Sequence, residues 1–291
     1  MRADHGELDH HEVQHPLSTS IPPGKASAWA LSLSFLFVLS GCFDDGPAAT
    51  SGRWWSDRAA ILNDDAFDVL VVEIDVASEY QPSALALSAL RETLTQYAKK
   101  DTITVLEPTR VPAFGATHSL ADVLEYHVVT RDRGTREQPW SGSTFYIHVL
   151  YLDGQREETA VLGEYHGNGE ITIMGDLMVS GLGPRYGELP GGIREDQVER
   201  KSLIHEFGHA FGLVNCGIPM IRPHEDPRLP CHSNNEHSVM SYWNWTTPQE
   251  NVFRSVEELA NIPWTFDEDD KRDMVAYKGY ARTFSENYFE P

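Results

Sequence analysis

The sequence predicts an α/β (α+β) domain: a mixed β-sheet packed on one long helix, followed by a smaller C-terminal part. Three observations carry this. Runs rich in β-branched residues alternate with runs of helical apolar spacing through the first half of the chain. One helical run, about 193–213, carries a dense apolar set: Leu203, Ile204, Phe207, Ala210, Phe211 and Leu213. Beyond it little regular structure is expected until a helix near 267–277.

The elements follow in order. Residues 67–77 (FDVLVVEIDVA) predict a buried strand. Residues 83–100 carry apolar residues at helical spacing and end on Lys99 and Lys100, which predicts an amphipathic helix. Residues 103–106 predict a short strand, and 119–129 a helix with Ser119 as N-cap. Residues 143–152 (STFYIHVLYL) predict a second strong strand. Residues 160–165 and 170–174 predict shorter strands around His166-Gly167-Asn168-Gly169. A stretch rich in Gly and Pro, 181–192, leads into the 193–213 helix as a flap or a linker. His118, His127, His148 and His166 are scattered and are expected to be ordinary surface or core residues.

The chain has 291 residues, 41% hydrophobic and 23% charged, which excludes a collagen-like, coiled-coil or wholly disordered chain. Its formal net charge of -21 repels phosphate backbones, so no nucleic-acid partner is expected. Three cysteines are too few for a disulfide scaffold.

Residues 28–39 (AWALSLSFLFVL) are uncharged, follow Lys25 and lead into Leu39-Ser40-Gly41-Cys42. A short apolar run with a basic flank and a small-residue exit predicts a secretory signal. The LSGC ending resembles the bacterial lipobox. That resemblance implies removal of residues 1–41 as a leader and lipidation of Cys42. A linker then covers 42–60 and one domain covers 61–291, in two parts, 61–214 and 215–291. The expected location is extracytoplasmic, tied to a bacterial membrane by the lipid. The long acidic, histidine-rich segment before Lys25 departs from that pattern.

Residues 205–209 are His-Glu-Phe-Gly-His. On a helix, residues four apart share one face, so His205 and His209 can offer two imidazoles to one ion. Glu206 lies about 100° around the helix, beside such an ion rather than on it. Zinc suits imidazole, and a catalytic site takes three protein ligands and keeps one position open.

The longer string, His205-Glu206-Phe207-Gly208-His209-Ala210-Phe211-Gly212-Leu213-Val214-Asn215, resembles the metzincin zinc peptidases, whose motif is HExxHxxGxxH. Gly212 matches the family glycine that ends the helix and turns the chain back. Ser238-Val239-Met240-Ser241-Tyr242 is similar to the family's methionine turn, particularly in its serralysin form. The resemblance implies a mixed sheet on an active-site helix, Met240 as a floor beneath zinc, and Tyr242 as a group for the metal or the oxyanion. It also implies a peptide or protein substrate, paired along an edge strand that 170–174 matches, with Glu206 as general base.

The family histidine is replaced by Asn215, a poor zinc ligand. Residues 232–240 (HSNNEHSVM) resemble the archaemetzincin segment HCxxxxCxM with both cysteines replaced by serine. In that family the opening histidine is the third ligand, which implies His232 here. Cys216 follows Asn215 and Cys231 precedes His232. A bond between them would close 217–230 into a loop and return His232 to the helix, with about 3 kcal/mol from loop closure. His224, His237 and Asn215 are the competing ligands, and Glu257 or Glu258 would serve a thermolysin-like site.

Two functions are therefore expected in competition: a lipid-anchored zinc endopeptidase, or a catalytically inactive surface lipoprotein of the same fold used for binding or adhesion.

Overall fold

The computed structural model describes residues 60–64, 66–77, 79–115, 117–156, 162–175, 195–241 and 264–277. Residues 1–59, Gly181 to Gly192, Tyr242, Glu257 and Glu258 lie outside them, and so does the expected lipidation site Cys42.

Strand β1 (Val69–Val76) sits inside the sheet, and its composition explains why. Leu70, Val72, Ile74 and Val76 are apolar and buried on one face, while Glu73 and Asp75 are buried on the other. β1 pairs in parallel with β2 (Thr102–Val105) and the short β3 (Thr109–Arg110). After the two-residue β4 (Thr117–His118) and β5 (Trp140–Ser141) comes β6 (Thr144–Leu152), parallel to β1 along its full length. β7 (Gln155–Arg156) pairs with β4 away from the main sheet. β8 (Gly163–Tyr165) runs antiparallel to β9 (Glu170–Met174), which is itself parallel to β6. The main path is β2-β1-β6-β9-β8, a mixed and mostly parallel sheet.

That order corrects one expectation. Residues 170–174 do not form an edge strand: β9 is hydrogen-bonded on both sides, and β8 lies outside it. The error came from treating the His-Gly-Asn-Gly segment as a mere separator. It is the hairpin turn that folds β8 onto β9, with positive φ at Gly167, Asn168 and Gly169.

Helix α1 (Ala84–Tyr97) starts at Ser83, whose hydroxyl accepts the Ala86 amide. Helix α2 (Leu120–Thr130) starts at Ser119 as expected, with a capping box to Asp122. Helix α3 (Glu195–Ala210) is the long expected one, ending at Ala210 rather than Leu213. α1 and α3 pack on one face of the sheet, where Leu90, Leu94, Leu203, Ile204, Phe207 and Phe211 join Leu70, Ile74, Ile147 and Ile171 in the main core. Burying a side chain of this size contributes about 1.5–3 kcal/mol. α2 covers the other face, with Val123 and Tyr126 on Leu150, Leu152 and Met174. Glu199 of α3 ties the layers together: its carboxylate accepts from the Ser83 amide and from the Tyr80 and Tyr151 hydroxyls.

After α3 the sequence offered little regular structure, yet a small hairpin forms: β10 (Glu225–Asp226) with β11 (Leu229–Ser233). Proline at 227 and 230 masked it, since proline is rare inside strands. A final helix, α4, spans 268–277 within the described residues.

Candidate metal centre

His205 and His209 stand one turn apart on α3, on the buried face that the 3.6-residue period assigns them. The helix must stop directly after them. Gly212 does this at φ +78°, a conformation that side chains resist, and a Cβ there would press on the Gly217 backbone at 3.2 Å. Val214 and Asn215 also take positive φ, at 53° and 64°, so the chain turns away within a few residues.

The excursion closes where the cysteines predicted. Cys216 and Cys231 form a disulfide with Cα atoms 5.0 Å apart. Cys231 has φ 66°, its amide donates to Glu225 Oε1, and Asn215 Nδ2 donates to Glu225 Oε2. Glu225 thus bridges the exit and the return of the loop. β11 then delivers His232.

The three imidazoles converge. His205, His209 and His232 can each offer a nitrogen such that all lie within 4.8 Å of one another, and all three residues are buried. The Nε2 atoms of His205 and His209 are 3.1 Å apart. Two nitrogens on one tetrahedral zinc, at bonds of 2.0–2.1 Å, sit about 3.3 Å apart. His205 Nδ1 donates to the Val239 carbonyl at 2.8 Å, and His232 Nδ1 donates to the Pro230 carbonyl at 2.9 Å. Each of those bonds fixes the tautomer in which Nδ1 carries the proton and Nε2 is the unprotonated nitrogen that a metal requires. Burial and the nearby His232 hold His205 down to about 3, and burial lowers His232 as well. Both rings are therefore neutral near pH 7, as ligation requires. The donor set and its geometry fit zinc.

Met240 is fully buried against α3, where a Cβ at Gly208 would overlap its sulfur. The methionine turn is stitched to the hairpin, because the Ser233 amide donates to the Met240 carbonyl at 3.0 Å. It is stitched to α3 as well, through the His205–Val239 bond.

Glu206 is 5% exposed and points toward β8, where the Tyr165 amide donates to its carboxylate. Oε2 is buried with no hydrogen-bond partner. Burial, reinforced by the charge of Glu164, raises its pKa well above the ordinary carboxylate range. A Cβ at Gly163 would stand 2.8 Å from Glu206 Cγ, so this strand position holds glycine to make room for the acid. Nothing in the sequence near Gly163 announced that role.

The competing ligands go elsewhere. Asn215 is exposed and bonded to Glu225. His237 is exposed. His224 is buried against Asp270 on α4, with Nε2 3.3 Å from Oδ1.

No protein-family description matches the chain, and no curated protein matches it. A similar solved structure is a crystal structure of archaemetzincin from Methanopyrus kandleri, at 13% sequence identity and TM-score 0.42, over 73% of this chain and 96% of that one. Chemistry is a property of the site and not of a fold, so it is read from this chain's own residues.

Proposed function

We propose that this protein is a zinc-dependent endopeptidase. The observation that carries the reading is the convergence of three buried imidazoles, next in sequence to a buried carboxylate with one oxygen that has no hydrogen-bond partner. His205, His209 and His232 would hold the ion. Bound zinc lowers the pKa of water to about 7 and polarises a carbonyl.

The chain's own residues supply the rest. Glu206 is buried and its Oε2 has no hydrogen-bond partner, so that oxygen is placed to take a proton from the attacking water and pass it to the leaving amine. β8 flanks Glu206 and, among the described residues, pairs only with β9, so its outer backbone edge is suited to an extended peptide. Tyr242 follows the last described residue of the methionine turn and takes the oxyanion role in this proposal. The leader, Cys42 and the disulfide together support an exported, lipid-anchored protein.

The test uses full-length protein, metal analysis, and cleavage of casein and of internally quenched peptides. Wild type is expected to carry one zinc per chain and to cleave. Glu206→Ala should keep zinc and lose about 10²–10⁴-fold in rate. Wild type that binds zinc stoichiometrically and cleaves no probe supports the binding or adhesion alternative. Wild type that binds no zinc overturns both the metal centre and the hydrolysis.

A further inference from the structure

Two of the three imidazoles ride on one helix and cannot drift apart. The third rides on β10–β11, a hairpin whose strands have two and five residues. A two-stranded ribbon of this size does not hold itself in place. Its far end is anchored by the Cys216–Cys231 bond. What anchors its near end is a buried charged cluster that the proposed reaction does not use.

That cluster centres on His224, directly before β10 and 3% exposed. Its Nε2 lies 3.3 Å from Asp270 Oδ1 and 3.7 Å from Asp273 Oδ2, and its Nδ1 lies 2.9 Å from the Arg222 carbonyl. Both nitrogens face acceptors, which only the doubly protonated ring satisfies. Asp270 Oδ2 in turn accepts the Ser238 hydroxyl at 2.6 Å and the Asp267 amide at 3.2 Å. Ser238 Oγ accepts the Met240 amide at 2.9 Å. On the backbone side, the His224 carbonyl accepts the Asn234 amide at 2.8 Å, two residues beyond His232. One ring therefore links α4, the methionine turn and the strand that delivers the third imidazole.

We propose that His224 is a positioning residue for the metal centre: its imidazolium clamps the His232 hairpin to α4 and, through Asp270 and Ser238, to the Met240 turn. The proposal rests on the reading of His205, His209 and His232 as a zinc site. Burial works against the charge on His224, but the bonds to Asp270 and to the Arg222 carbonyl, with the charges of Asp270 and Asp273, outweigh it and hold the ring up to about 9. Asp267 and Asp269 act on those two carboxylates from the same side. From the hairpin, Glu225 is bonded to Cys231 and Asn215, and Asp226 to Arg228. A neutral ring loses one of its two donations. Either the buried Asp270 or the Arg222 carbonyl is then left without its donor, Asp270 and Asp273 lose the facing positive charge, and the near anchor of the hairpin weakens.

The test is the zinc dissociation constant of the full chain, measured against a chromophoric chelator from pH 7 to 10, with zinc alone as the probe. His224→Gln and Asp270→Asn are each expected to weaken zinc by about 10–100-fold at pH 7.5, with an unchanged circular dichroism spectrum of the metal-free protein. Wild-type affinity should fall as the pH passes about 9, and His224→Gln should lack that fall. Asp273→Asn keeps an oxygen for the Ile221 amide, which donates to Oδ1 at 2.7 Å, while removing the charge 3.7 Å from His224, and covers the case in which the stronger variants do not fold. It should weaken zinc by less than about tenfold and move the alkaline fall to lower pH. Wild-type affinity and an unchanged pH profile in the folded variants would overturn the clamp alone. A wild-type chain without zinc would overturn the metal centre instead.

Discussion

Among the described residues, three histidines cluster on each side of the main sheet, and only one trio brings a nitrogen from each ring to a common point. On the α3 face, His205 and His232 commit Nδ1 to backbone carbonyls and turn Nε2 inward. On the α2 face, His127, His148 and His166 form a closed chain with Thr172 and Asp75. A consistent proton order runs through it. His166 Nε2 donates to Thr172 Oγ1, the Thr172 hydroxyl to His127 Nε2, His127 Nδ1 to His148 Nδ1, and His148 Nε2 to the Asp75 carboxylate. Both nitrogens of His127 and of His148 are thereby used. Burial, then the neighbouring His148 and His166, lowers the His127 pKa well below its ordinary value, in keeping with a neutral ring. Glu170, bound by Arg131 at 3.1 Å and Arg136 at 2.9 Å, lies on the same polar face. What separates a ligand set from a structural network is whether the imidazoles converge on one point, not how many of them are buried.

The largest expected effect separates the two trios outright. His209→Ala should reduce bound zinc from one per chain to near zero, while His148→Ala should leave it at one, both read by metal analysis. In denaturant titration the order reverses. His148→Ala leaves Asp75 buried without its donor and should cost about 3 kcal/mol, with or without metal. Cys216→Ser combined with Cys231→Ser should cost about 3 kcal/mol by the same titration and should also weaken zinc, because the hairpin loses its far anchor. Gly163→Ala places a methyl against Glu206. It should lower casein hydrolysis by about tenfold at unchanged zinc content, since displacing a catalytic group costs rate before it costs binding.

The smallest effect concerns pH. The folded value for His224, about 9, lies above the ordinary 6.5, so its stabilisation is complete below pH 6.5 and is lost as the pH rises through 9. The wild-type urea midpoint should show that alkaline loss, and the His224→Gln midpoint should not.

Much of this layout was legible in the sequence where local pattern decides it. The β-branched runs marked β1 and β6, Ser83 and Ser119 start α1 and α2, and the His-Glu-Phe-Gly-His spacing puts His205 and His209 on one face of α3. The paired cysteines around one insertion anticipated the disulfide. Long-range placement was not legible. β9 looked like an edge, although its hairpin turn His166-Gly167-Asn168-Gly169 is local, because the side of β9 that β8 takes in the sheet is not. His127 and His148 looked scattered because they are 21 residues apart and meet only across the sheet face. Gly163 and the His224–Asp270 pair, 46 residues apart, are tertiary facts as well.

The most direct measurement is anomalous diffraction at the zinc edge from crystals of the full-length protein. One peak within 2.0–2.1 Å of a ring nitrogen on each of His205, His209 and His232, with Glu206 alongside and unbound, is the predicted result. A peak ligated by any other set of side chains, or no peak in zinc-soaked crystals, would contradict the account.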